Sequence, residues 1–268
     1  MTILENSEKA EDMALDSSKF LIKVFLAGAS GTGKTQGAMS LPGRKLLIDL
    51  DNRAESVFGT KDLHIIKCHE PDPKSPMAWD RLKKIQEQIL VDIEEDDFPF
   101  ETIIYDGLTM MGRIAMNWAL LFDSKRGLGG APAKQHYGPQ MDNLSKFIIS
   151  ALTVPKNICF TGHMDMFENV QSGEMQFLPK ITGKLRSELS NWFNETYYTY
   201  RDEDDDGNTR YKWLTAGNEK YEFFKSAMNS LGKYWSDPVV IPKEGYADDS
   251  NGFNQLLKWR FKGGGGDA

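Results

Sequence analysis

A chain of 268 residues, 40% hydrophobic and 26% charged, has the length and apolar content of one α/β domain with additions around a large core. Its formal charge of −7 argues against a protein coated with phosphate contacts, though not against a local basic patch. No apolar run approaches the roughly 18–20 residues that a membrane span needs, and the acidic start MTILENSEKAEDMALDSSK is unlike a signal peptide. Cys68 and Cys159 read as two thiols in a reducing cytoplasm. His64 and His69 lie near Cys68, but no second cysteine pair completes a zinc spacing.

In chain order, residues 1–18 read as a flexible acidic leader. Residues 20–27 (FLIKVFLA) are a short apolar run with β-branched and aromatic members, hence a buried strand. A helix follows from 33 to about 40, stopped by Pro42-Gly43. Strands are predicted at 45–51, 63–67, 100–106 and 157–161, and helices at 79–93, 108–122 and 141–154. Residues 127–136 (GLGGAPAKQH) read as a Gly/Pro loop between the last two helices. Strands alternating with helices imply βαβ units and a mostly parallel sheet. Residues 195–201 and 209–215 then flank Asp-Asp-Asp-Gly-Asn, the pattern of an antiparallel hairpin that extends the sheet. From 238 the text is loop-like up to a short helix at 253–261, and a flexible Gly-rich tail ends the chain. The acidic runs 94–97 and 202–206 read as solvated loops.

The stretch Gly28-Ala29-Ser30-Gly31-Thr32-Gly33-Lys34-Thr35 matches G-x-x-x-x-G-K-[ST], with an apolar strand before it and a helix start after it. Glycines let consecutive backbone N–H groups close on phosphate oxygens, and the helix N-terminus adds its dipole. Lys34 then reaches the β/γ-phosphates and the Thr35 hydroxyl ligates Mg²⁺. The dinucleotide fingerprint G-x-G-x-x-G fails, because Gly28, Gly31 and Gly33 are spaced G-x-x-G-x-G. The motif therefore predicts a nucleoside-triphosphate site.

Hydrolysis also needs an acid near the metal and a group that positions water. Asp106 ends the strand TIIYD, where parallel topology places strand C-termini beside the phosphate loop, and is the candidate magnesium acid. Asp51 ends LLIDLD and is the candidate base; Asp49 alternates to the same face, so the sequence does not separate the two. His163 follows the strand ICFTG, at a position from which a polar side chain can sense the γ-phosphate.

With these strands in order, the chain resembles the RecA-like P-loop ATPases, most closely the phage nucleotide-binding AAA-type proteins, the single-strand annealing recombinases. The resemblance runs from about 20 to 225 and implies a RecA-like ATPase core over 19–235, with 236–268 as a C-terminal extension. In the text Ile48-Asp49-Leu50-Asp51, Asp51 takes the place of the family's water-activating glutamate, with a shorter side chain. Asp106 in IIYDGLT matches the magnesium aspartate, and His163 in FTGHMD matches the γ-phosphate sensor. The segment 183–192 (GKLRSELSNW) is similar to the family's Gly-Lys-Leu element. Where the family has a Lys-x-Arg element that reaches a neighbouring subunit's nucleotide, this chain has Phe224-Lys225-Ser226-Ala227, so Lys225 is present and the arginine is missing.

The family also binds single-stranded DNA through two loops. Here residues 124–140 hold Lys125, Arg126, Lys134, His136 and Tyr137 without an acid, and residues 164–184 hold Phe167, Phe177, Lys180 and Lys184 together with three acids. Cations for phosphates and aromatics for base stacking are what sequence-tolerant single-strand binding needs. The resemblance thus implies ATP and Mg²⁺ as cofactors, and single-stranded DNA, a homo-oligomer (filament or ring) and a single-strand binding protein as partners. It also implies action in the cytoplasm of a phage-infected bacterium. The rival readings are a P-loop nucleotide or small-molecule kinase, whose arginine-rich lid has no counterpart in the sequence, and an assembly module with little turnover.

Overall fold

The computed structural model describes residues 20–72, 74–123, 130–168, 173, 175–217, 221–228, 239–241 and 252–261. The expected leader, the Gly-rich tail and the DNA-contact candidates Lys125 and Arg126 lie outside these residues.

Strand β1 (Lys23–Gly28) is the centre of the fold. Its alternate residues feed opposite cores, Phe25 and Ala27 into one and Val24 and Leu26 into the other. A strand buried on both faces reads as continuous apolar text rather than as an alternation. The same division holds in β2 (Lys45–Asp49), β4 (Thr102–Asp106) and β5 (Asn157–Gly162). Ile48, Tyr105 and Phe160 lie in the first core, and Leu47, Ile104 and Cys159 in the second.

The described residues form a nine-stranded sheet in the order β11-β9-β8-β1-β5-β4-β2-β3, with β10 paired to β8. Here β3 is Leu63–Lys67, β8 Glu195–Glu203, β9 Thr209–Leu214, β10 Lys225–Ser226 and β11 Val239–Ile241. From β3 to β8 every neighbouring pair is parallel, while β8, β9 and β11 are antiparallel, with β10 antiparallel to β8. This is the expected α/β P-loop NTPase core with a C-terminal antiparallel hairpin. Helices α2 (Ala78–Glu94), α3 (Leu108–Leu120), α4 (Lys134–Thr153) and α5 (Leu185–Trp192) add to the first core. Helices α1 (Lys34–Ala38) and α6 (Gly252–Phe261) add to the second, where Phe253 and Leu256 join Trp213 and Tyr197.

The order positions a site. From β1 the chain crosses β5 and β4 to reach β2, whereas from β5 it passes to the other side of β1 to form β8. Such a reversal opens a crevice outside the strands' carboxyl ends. Register brings those ends level: Asp49 pairs with Asp106, Asp106 with Thr161, and Ala27 with Gly162.

Three sequence expectations are corrected. Helix α4 starts at Lys134 rather than 141 and runs through Pro139, so Lys134, His136 and Tyr137 belong to a helix and not to a loop. The His136 ring accepts a hydrogen bond from the Ala133 amide at 2.8 Å, and Gln140 donates to the Gly112 carbonyl at 2.6 Å. This packing overrides the breaker signal of Gly138-Pro139. The segment after β5 is not an open loop either: β6 (Met164–Glu168) and β7 (Met175–Pro179) form their own antiparallel pair. Finally, Val239–Ile241 is not loop but a strand, β11, recruited by the open edge of β9.

Candidate functional site

The phosphate loop leaves β1 at Gly28 and enters α1 at Lys34. Gly31 and Gly33 have φ of 75° and 79°, the left-handed region that a residue with Cβ avoids. Gly28 is required for a different reason: a Cβ there would meet the Thr199 carbonyl oxygen at 2.3 Å. The loop is pinned to β8 by the Thr32 and Thr199 hydroxyls, 2.7 Å apart. Lys34 Nζ donates to the carbonyls of Ala29 at 2.6 Å and Gly28 at 3.2 Å. Burial lowers its pKa to about 8 despite the opposing pull of Asp106 and Asp51.

Below the loop, the Thr35 hydroxyl donates to the Asp106 carboxylate at 3.0 and 3.2 Å. The Thr161 hydroxyl also donates to Asp106 and accepts from the Gly107 amide at 3.0 Å, so β4 and β5 together orient the carboxylate. Burial pushes Asp106 above the ordinary carboxylate range. No group of three or more His, Cys, Asp or Glu side chains suited to a metal occurs among the described residues. Thr35 and Asp106 nevertheless suit Mg²⁺, which commonly takes one or two protein oxygens and completes its octahedron with water and nucleotide phosphates.

Ser30, Lys34, Thr35, Asp51, Asp106 and His163 line one cleft of about 350 Å³. Tertiary structure separates the two aspartates that the sequence left together. Asp51 lies on the cleft wall, while Asp49 is fully buried and accepts the Arg53 amide at 3.2 Å. Burial raises the Asp51 pKa. His163 is half-buried and hydrogen-bonded to the backbone of Gly28; burial, then the charge of Lys34, lowers its pKa, so the ring is neutral at neutral pH.

Lys34 carries a pH prediction. A bound triphosphate would stabilise the ammonium, so ATP binding near pH 8.5 is expected to take up roughly three quarters of a proton. Calorimetry in two buffers of different ionisation enthalpy measures this uptake, whose Lys34 part should vanish near pH 6.5, where the lysine is already charged, leaving only release from the nucleotide's own phosphate. Equal enthalpies in both buffers at pH 8.5 would contradict it.

Lys225 is not brought to this cleft: it is exposed on β10 opposite Thr196, three residues before the Thr199 that touches the loop. Of the described DNA-contact candidates, Tyr137 and Lys180 line a separate groove of about 480 Å³. Lys134 and Lys184 are exposed but do not line it, and Lys184 pairs with Glu188 at 3.5 Å.

Sequence reasoning missed several side chains. Arg113 and Arg186 line the groove beside Phe167, an aromatic already expected in the second loop, and the Arg186 guanidinium sits 3.8 Å above the Phe167 ring. Tyr211 lines the cleft; its cross-strand partner Arg201 comes within 3.9 Å of where a Gly31 side chain would begin. The usable signal was the hairpin, since β8 outruns β1 beyond Thr199 and carries these residues over the loop.

No curated protein matches the chain. The model of a family described as an AAA domain matches residues 21–222, a span that runs from just before β1 to just before β10 and takes in every residue of the cleft. The chain therefore belongs to the AAA domain family, and the cleft is that of a nucleotide-binding domain of the ATPase type.

Proposed function

We propose that the chain is an ATP-hydrolysing phage DNA-recombination protein of the single-strand annealing type, which binds single-stranded DNA as an oligomer. The observation that carries this reading is the groove, which gathers Arg113, Lys180 and Arg186 with Tyr137 and Phe167. Cations track a phosphate backbone, and aromatic faces stack bases of any sequence.

In the cleft, the loop amides and Lys34 hold the β- and γ-phosphates. Thr35 and Asp106 would hold Mg²⁺, which would screen the phosphate charge there. Asp51 accepts the proton of the attacking water; burial favours the protonated product of that step. Neutral His163, anchored to Gly28, reads the γ-phosphate. Lys225 lies away from its own cleft, which suits a group that serves a neighbouring subunit's nucleotide.

Turnover measured with increasing single-stranded oligonucleotide is the test. ATPase rate is expected to rise with the oligonucleotide. Tyr137→Ala should weaken DNA binding by about 1–3 kcal/mol through lost stacking. A rate indifferent to single-stranded DNA would sink the reading.

A further inference from the structure

Between the cleft and the groove lies a third space, a chamber of about 420 Å³. It shares Ser30, Asp51, Arg53 and His163 with the cleft, and Thr109, Arg113 and Lys180 with the groove. It is therefore adjacent to both. In sequence its three cations lie up to 127 positions apart, from the turn after β2 (Arg53), through α3 (Arg113), to the residue that follows β7 (Lys180).

The chamber is electropositive. Among the described residues Asp51 is the one carboxylate on its wall, against Arg53, Arg113 and Lys180. Lys180 also pairs with Asp165 at 3.3 Å, but Asp165 faces the groove rather than the chamber. Burial and then Asp49 raise the Asp51 pKa against the pull of Arg53 and Arg113, and burial, then Lys34, with Lys180 and Arg53 behind them, lower that of His163. Neither the phosphate loop nor the groove explains why Arg53 joins Arg113 and Lys180, which also line the groove, around this space. A tetrahedral oxyanion does, since guanidinium groups match phosphate with paired donors.

We propose that this chamber is a second phosphate site, distinct from the loop cradle, that takes one phosphate group on Arg53, Arg113 and Lys180. Two sources share this chemistry: orthophosphate leaving the cleft past Asp51 and His163, and a backbone phosphate of a strand in the groove. The site goes beyond the ATPase reading but rests on the phosphate loop holding nucleotide.

The test titrates orthophosphate into the full chain, with the loop already filled by a non-hydrolysable ATP analogue, and follows binding by calorimetry. The wild type is expected to bind one phosphate with the analogue in place. Arg113→Ala and Lys180→Ala should each weaken it by about tenfold, the loss of one charge-assisted contact. Arg113→Lys keeps the charge and should retain binding within about threefold. Arg113 is exposed on a helix, where alanine is well tolerated, so the variant is expected to fold. Absence of phosphate binding beside the analogue, or binding that Arg113→Ala leaves unchanged, overturns the proposal. Failure of the analogue itself to bind would instead overturn the nucleotide reading, so the two failures are distinct. A single-stranded oligonucleotide that competes with orthophosphate assigns the site to backbone phosphate, and one that leaves phosphate binding intact assigns it to the free ion.

Discussion

Lys34→Ala is expected to lower ATP turnover by about 10²–10³-fold or more, with the folded structure retained. The size follows from what is lost: a charge aimed at oxygens whose negative charge grows in the transition state, in a partly buried site where water screens poorly. In the present arrangement the ammonium rests on the Ala29 and Gly28 carbonyls, so alanine also removes two hydrogen bonds that hold the loop. Ground-state affinity should therefore fall too, by about tenfold or more. Lys34→Arg is the informative companion. It keeps the charge but not the size, and a short distance to the loop carbonyls leaves little room for a planar guanidinium. Phosphate release by a coupled assay, beside affinity for an ATP analogue, separates the two effects. Turnover of Lys34→Ala within tenfold of wild type would remove this lysine from the chemistry.

The second large effect is expected far from the cleft, at Glu195. This carboxylate is fully buried at the start of β8. One oxygen accepts the hydroxyls of Tyr197 at 2.5 Å and Ser226 at 2.6 Å; the other accepts the amides of Ala227 at 3.1 Å and Met228 at 3.2 Å. It is therefore the anchor of β10, the strand that carries Lys225. Glu195→Ala removes the acceptor that the Tyr197 and Ser226 hydroxyls share, while the Ala227 amide keeps the Asn194 carbonyl at 3.1 Å and the Met228 amide keeps the Ser226 hydroxyl at 3.2 Å; it should cost roughly 2–4 kcal/mol of stability. Urea melts measure it, and a loss under 1 kcal/mol would show that the segment is held by something else.

The same group makes stability depend on pH in an unusual direction. Burial raises Glu195 to about 7 from the ordinary 4.5 of a glutamate, against the pull of its donors. The folded state then holds a proton that the unfolded chain has already released. The resulting stabilisation is complete below about 4.5 and is lost as pH rises through 7. It amounts to roughly 3 kcal/mol. Glu195→Gln cannot ionise, and its amide oxygen can still accept the two backbone N–H groups. Comparing the pH 5 and pH 8 melts, the wild type should lose more stability than Glu195→Gln.

Much of this molecule was legible in its residues. FLAGASGTGKT is read locally, because a phosphate cradle is made of consecutive backbone amides and needs glycine at set positions. Strands β1, β2, β4 and β5 were equally legible, since strands buried on both faces are short apolar runs, and Asp106 announced itself by ending one. Helix α4 was misplaced, because whether Gly138-Pro139 breaks a helix depends on the packing of His136 and Gln140 rather than on the dipeptide. The β6–β7 pair was missed because two short strands without a large apolar face carry little periodic signal.

What the sequence determined by itself was the kind of site: a backbone loop for phosphate, a strand-end acid, and a core able to hold both. Which side chains meet there was decided only by the tertiary structure. Asp49 and Asp51 are indistinguishable in text two residues apart. They part because β2 ends between them, with Asp49 buried behind the Arg53 amide and Asp51 on the cleft wall. Likewise Arg53, Arg113 and Lys180 gather only because a reversal of strand order folds three separate connections over the same strand ends. Local chemistry depends on neighbours in the chain and can be read from it. The electrostatics of a cleft depend on neighbours in space, which the crossing of the strands alone brings together.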